Sequence, residues 1–266
     1  MELDDAYANA AHIPNGMGYP DIWAEKADEY RAVENAIGRA RLNQAYGSGA
    51  REKFDLFHPA GPAEGVIVFV HGGYWRMFGR EDFSHLARGA RDAGWQIALP
   101  SYTLAPEASI AEITGQIAQA ITEIGRITQG PIVLSGHSAG GHLVARMMNE
   151  DVELPGSVAE RIMRVVPISP VADLRPLLKT SMNADFKLNA SSARAESPGL
   201  QPKSSLAATH VWVGADERPV FLDQANWLAT AWSAPITVEP DRHHFDVIEG
   251  LEDASSTLMQ CLVGAP

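Results

Sequence analysis

The chain has 266 residues, 45% of them hydrophobic and 20% charged, with a formal net charge of −12. This balance excludes an intrinsically disordered chain, and strong acidity without any Lys/Arg cluster speaks against nucleic acid or an anionic membrane as a partner. A single cysteine, Cys261, leaves no disulfide framework, no redox pair and no thiolate zinc site. The length suits one undivided domain over 1–266. The opening MELDDAYANA has no basic stretch followed by an apolar one, and the longest apolar runs are far too short to span a bilayer. A soluble, cytoplasmic protein with no membrane partner is therefore expected.

In chain order, the first fifty residues show no clear alternation of elements. Strands are then expected at 41–46, 53–58 and 66–70, a helix at 82–93, and a strand at 96–100. A helix at 110–128 carries Ile110, Ile113, Ile117, Ile121 and Ile124 at three-to-four spacing, which is a core-facing stripe. A strand at 132–135, a helix at 139–149 and a strand at 163–168 follow. Residues 171–205 are rich in Ser, Ala and Pro and lack a strand pattern. They read as an insertion, and insertions at the C-terminal strand ends of such sheets cover the ligand crevice, so this is a candidate lid. Strands at 210–213 and 236–239 alternate with helices at 221–232 and 251–263. Strands alternating with helices in this way predict an α/β fold, a mostly parallel central sheet with helices on both faces.

The chemistry concentrates in four places. After the apolar run Ile132-Val133-Leu134 comes Gly136-His137-Ser138-Ala139-Gly140, a G-x-S-x-G motif between a strand and a helix. That context is what gives the motif meaning: glycines two before and two after allow a sharp turn that lifts the serine hydroxyl to the tip of the sheet, at the positive end of a helix. Ser138 is the candidate nucleophile. Upstream, the strand at 66–70 runs into His71-Gly72-Gly73-Tyr74-Trp75. Bare backbone at Gly72 and Gly73, with the N–H of Ala139, would form an oxyanion hole. The chain order serine, acid, histidine then points to His244, in Asp241-Arg242-His243-His244-Phe245, as the base. His243 is its neighbouring rival, and the pair lacks the ligand spacing of a metal site. His71 and His137 read as supports for their loops. In Val213-Gly214-Ala215-Asp216-Glu217-Arg218, both Asp216 and Glu217 are placed to orient the imidazole, and side-chain chemistry does not separate them.

Taken together these residues resemble the kynurenine formamidase (arylformamidase) branch of the α/β hydrolases, which is related to the hormone-sensitive-lipase-like esterases. The most specific mark is H-G-G-x-W at 71–75, because the esterase relatives usually carry a third glycine where Tyr74 stands. Further marks are Tyr102-Thr103-Leu104-Ala105-Pro106-Glu107, the G-H-S-A-G-G run, Asp173-Leu174-Arg175-Pro176-Leu177, and His244-Phe245. The N-terminal segment shares in the likeness at 7–14, Trp23 and Tyr46-Gly47. The resemblance implies Ser138 and His244 as nucleophile and base and Gly72, Gly73 and Ala139 as oxyanion donors. The family acid lies three residues after the glycine and four before a phenylalanine, which falls on Glu217, where animal members carry aspartate. It also implies a cofactor-free, metal-free acyl transfer on a small-molecule aryl formamide such as N-formylkynurenine, with Tyr74, Trp75 and the lid receiving the ring. The residues alone support hydrolysis of a carbonyl substrate, which keeps a short-chain carboxylesterase or thioesterase as the second reading. A hydrolase-fold binding protein without chemistry is the rival from another class, and an intact set of motif residues speaks against it.

Overall fold

The computed structural model describes residues 1–204 and 207–264. Nine strands share one sheet: β1 (Ala40–Ala45), β2 (Lys53–Phe57), β3 (Val66–Val70), β4 (Gln96–Pro100), β5 (Ile132–His137), β6 (Ile162–Ile168), β7 (Ala208–Thr209), β8 (Val211–Gly214) and β9 (Ile236–Glu239). Their order is β1-β2-β4-β3-β5-β6-β8-β9, with the two-residue β7 also pairing with β6. Strands β1, β2 and β4 pair antiparallel and every other pairing is parallel, so β3 and β5 lie centrally and run together from Val66 opposite Ile132 to Val70 opposite Gly136. The helices are α1 (Tyr19–Ala36), α2 (Ala87–Asp92), α3 (Ile110–Ile127), α4 (Ala139–Arg146), α5 (Gly156–Ala159), α6 (Asn183–Phe186), α7 (Ala190–Ala195), α8 (Pro219–Trp232) and α9 (Thr257–Val263).

Residue alternation along the strands divides the interior into two cores. On β3, Val66, Val68 and Val70 join Leu134 of β5, the α3 isoleucines, α4 and Phe221 of α8. Ile67 and Phe69, facing the other way, join Val133, Trp23 and Tyr30 of α1, Leu86, and Leu258 and Leu262 of α9. Both faces being covered explains why β3 and β5 read as unbroken apolar runs. The isoleucines of α3 are buried as expected. That helix begins on a capping box, in which Ser109 Oγ accepts from the Glu112 N–H and the Glu112 carboxylate accepts from the Ser109 N–H at 2.8 Å.

Several boundaries differ from the sequence pattern. The expected helix at 82–93 is split into 3₁₀ turns at Arg80–Asp82 and Ser84–Leu86 before α2, because Phe83 leaves helical dihedrals to bury its ring beside Trp23 and Phe78. The one at 251–263 is split as well: Asp253 is extended, and Ser256 starts a new helix by accepting the Met259 N–H at 3.0 Å. Helix α1 was not foreseen. Ion pairs fix it in place: Arg91 reaches Glu34 at 2.5 Å and the Tyr30 hydroxyl at 2.9 Å, and Arg31 pairs with the fully buried Asp55. Residues 171–204 form an insertion of short helices, including α6 and α7, between β6 and β7; the expected end of this segment, Ser205, lies outside the described residues. Val171, Leu174, Leu177, Phe186 and Ala193 anchor it in the core. Among the described residues no helix is long and apolar enough to cross a membrane.

Candidate active site

Four parallel strands deliver the motif residues to one end of the sheet, beyond their C-terminal ends. Strand β5 ends in Ser138, whose φ of 56° and ψ of −113° form a conformation rarely tolerated outside glycine. Three anchors hold it there. The Ser138 N–H donates to Ile168 O at 2.8 Å, its carbonyl accepts from the His142 N–H at 2.9 Å, and α4 starts at the next residue. The turn closes only because Gly136 and Gly140 pass each other without side chains: a Cβ at Gly136 would collide with the Gly140 carbonyl, and one at Gly140 with the Val70 carbonyl.

The loop after β3 lies against this turn. A Cβ on Gly72 would stand 3.2 Å from Ser138 Cβ, so the two backbones are in contact. Gly73 has φ of +103°, and both Arg76 and Met77 N–H groups return to its carbonyl, at 3.0 and 3.1 Å. The N–H groups of Gly72, Gly73 and Ala139 donate to no acceptor among the described residues, which leaves all three free for an incoming acceptor. His71 supports the loop from beneath: its Nδ1 bonds the Gly72 carbonyl at 2.8 Å and its ring stacks on Tyr102 at 4.4 Å. Burial pushes its pKa down to about 4, so it is neutral there.

After β8 the chain turns through Asp216 and Glu217, and the two acids part. Asp216 is exposed, its backbone N–H bonded to Arg242 O. Glu217 is buried, with one carboxylate oxygen 2.5 Å from His244 Nδ1 and the other accepting from the Gly214 N–H at 2.9 Å and from the Ser169 hydroxyl. Ser169, the residue following β6, is a participant that the motifs did not reveal. His244 is 3% exposed, its ring held between Phe221 (4.1 Å between centroids) and His137 (4.6 Å). Burial, reinforced by His244, holds His137 well below the usual imidazole pKa and therefore uncharged. His243 points elsewhere, to the Tyr19 hydroxyl at 3.2 Å and to Asp246 at 3.0 Å.

Ser138, His137 and His244 open on a cavity of about 460 Å³, within the usual range for small-molecule sites. Part of its lining is aromatic: Trp23 lies 5.2–5.8 Å, centroid to centroid, from Phe78, Phe83 and Phe245, and all four line the space. Tyr74 lines it too, but Trp75 does not. The expectation that Trp75 receives the substrate is corrected here: it is fully buried, edge-on to His142 and Phe186, because φ of 56° at its own position turns the ring into the core. Of the insertion's described residues, Ser181 and Met182 alone reach the lining. Most of the cover comes instead from the N-terminal segment, including Tyr7, Asn9, Met17 and Trp23. Tyr74 ties that segment down by donating from its hydroxyl to Tyr7 O at 2.7 Å, while Gln224 Nε2 donates to the Tyr7 hydroxyl at 2.9 Å. Among the described residues no Lys or Arg lines the cavity.

A family model described as the alpha/beta hydrolase fold matches residues 67–234. The chain is 29% identical to a kynurenine formamidase of Salmo salar over 87% of its own length and 84% of the relative's. It is 26% identical to a kynurenine formamidase of Danio rerio, covering 87% and 86%. Among solved structures, a protein of Silicibacter sp. tm1040, provisionally described as a thioesterase, superposes with a TM-score of 0.96 at 54% identity, over 98% of this chain and 99% of that one.

Proposed function

The chain belongs to the alpha/beta hydrolase family, and from that premise we propose that it is an arylformamidase, a serine hydrolase that splits aryl formamides of the N-formylkynurenine type into an arylamine and formate. The observation that carries the chemistry is a strained Ser138 opening on the same cavity as His244, whose Nδ1 is held by Glu217 at 2.5 Å. In this reading Ser138 Oγ attacks the formyl carbon and its proton passes to His244 Nε2. The oxyanion is met by the free N–H groups of Gly72, Gly73 and Ala139, the glycines allowing close backbone approach. His244 then gives the proton to the leaving nitrogen, and water, deprotonated by the same histidine, releases formate from the formyl-serine. Glu217 keeps the imidazole in the tautomer that presents Nε2 to the serine.

Support for an aryl substrate comes from the aromatic residues in the cavity lining and from the kynurenine formamidases that the chain is similar to along most of its length. A short-chain ester or thioester is the second reading, favoured by the description of the Silicibacter protein. A thioester of a phosphate-bearing carrier fits less well, since no Lys or Arg among the described residues lines the cavity to meet its charge. The test is hydrolysis of N-formylkynurenine by the wild type and by Ser138→Ala, with p-nitrophenyl acetate in parallel. Deformylation that outpaces ester hydrolysis and drops by about 10³-fold or more in the variant is expected. Ester turnover without deformylation would move the assignment to a general esterase.

A further inference from the structure

We propose that Ser169 is a positioning residue for the reaction: its hydroxyl fixes the Glu217 carboxylate, which in turn orients His244. The inference rests on the serine-hydrolase chemistry proposed for Ser138, Glu217 and His244, and it applies to a formamide or an ester substrate alike. The Glu217 side chain is fully buried, and a buried anion persists only where donors replace the water it has given up. One carboxylate oxygen is spent on His244 Nδ1 at 2.5 Å. The other accepts from the Gly214 N–H at 2.9 Å and from the Ser169 hydroxyl. Among the described residues, Ser169 is the only side chain besides His244 that bonds this carboxylate. Ser135 on the neighbouring strand shows the alternative use of a buried hydroxyl, spending its own on the Val166 carbonyl at 2.9 Å.

The backbone makes the contact a fixed one. Ser169 is fully buried, and its N–H donates to Trp212 O of β8 at 2.7 Å. Its φ of 48° turns the chain out of β6 in a conformation uncommon for a residue with a side chain. The residue before it, Ile168, accepts the Ser138 N–H at 2.8 Å. Two adjacent residues at the end of β6 thus hold the backbone of the nucleophile and the carboxylate of the acid. The turn after β5 and the turn after β8 are in this way referred to one strand end, which keeps serine and imidazole in register for proton transfer. Without the hydroxyl, that oxygen of Glu217 keeps a single backbone donor, and the imidazole loses a firm partner.

The experiment measures kcat and KM for the wild type, Ser169→Ala, Ser169→Gly, Glu217→Gln and the double variant Ser169→Ala/Glu217→Gln. The substrate is whichever of N-formylkynurenine and p-nitrophenyl acetate the wild type turns over faster. Glycine suits a φ of 48°, so a loss shared by both Ser169 variants belongs to the hydroxyl and not to the backbone. Both are expected to lower kcat by about 10- to 100-fold with KM within about twofold of wild type. The double variant is expected to be no slower than Glu217→Gln alone, because a residue that acts through the carboxylate has nothing left to act on. A kcat within about twofold of wild type in either folded Ser169 variant, or losses that multiply in the double variant, overturns the role of Ser169 and leaves the serine-hydrolase reading intact. A Ser138→Ala variant that keeps turnover overturns that reading, and the role of Ser169 with it.

Discussion

Adjacent acids in one turn have opposite surroundings. Asp216 is in water, whereas Glu217 spends three acceptor contacts inside the protein, on His244, Gly214 and Ser169. Glutamate's extra methylene matters here, because it carries the carboxylate from the turn to an imidazole that is itself clamped between Phe221 and His137. Glu217→Gln keeps the shape and loses the anion that orients and stabilises the imidazolium, so kcat on an aryl formamide is expected to fall by about 10³–10⁴-fold. Asp216→Ala is expected to stay within about twofold of wild type, as surface substitutions away from such contacts do. Steady-state kinetics on the two variants checks both statements, and equal losses would show that the acid has been misassigned.

At the level of elements, the N-terminal segment acts as a wall that the loop after β3 itself holds in place. Tyr74 is the tie, and burial raises its phenol far above the ordinary range, so it stays a hydroxyl donor to Tyr7 O. Tyr74→Phe removes that donor and is expected to cost about 1 kcal/mol, with faster proteolytic nicking ahead of α1 and a higher KM; unchanged nicking would deny the tie. The central elements and the motif residues were legible in the sequence because their signals are local. Five buried positions in a row in β3 and six in β5 make both strands plain, and G-x-S-x-G marks its own turn. Helix α1 was not legible because the stripe it buries is Trp23, Ala27, Tyr30 and Glu34, in which the usual apolar residues are replaced by an alanine and a charge paired to Arg91. The role of the wall was hidden for a related reason. Tyr7 is tied to the site by Tyr74, 67 positions away, and Asn9 and Met17 share a cavity lining with residues distant in sequence, which no periodicity records. Trp75 misled in the opposite direction: a loop aromatic beside glycines reads as a binding residue until its positive φ is known.

For the whole molecule, buried neutral histidines tie stability to pH. His85 is 2% exposed, and burial first, then the charges of Lys26 and Arg88, push its pKa down to about 3. In the unfolded chain the same ring titrates near 6.5. The unfolded state therefore binds the extra proton between these values, and stability is lost as pH falls below about 6.5. From about pH 7 to about pH 5 this one residue contributes a loss of about 2 kcal/mol, and His71 and His142, depressed to about 4 and about 3, act in the same direction. Urea unfolding at the two pH values is expected to show His85→Leu losing about 2 kcal/mol less than wild type, and identical losses would contradict the linkage. The cavity has a consequence of another kind. Its wall comes early in the sequence and His244 late, and contacts join the two regions: Tyr19 touches His243 across 224 positions, and Tyr7 is bonded to Gln224 across 217. During synthesis the wall leaves the ribosome before His244 does. Trp23 and its apolar neighbours must therefore wait, uncovered, for partners not yet made, so this early segment is where a nascent chain most needs a chaperone.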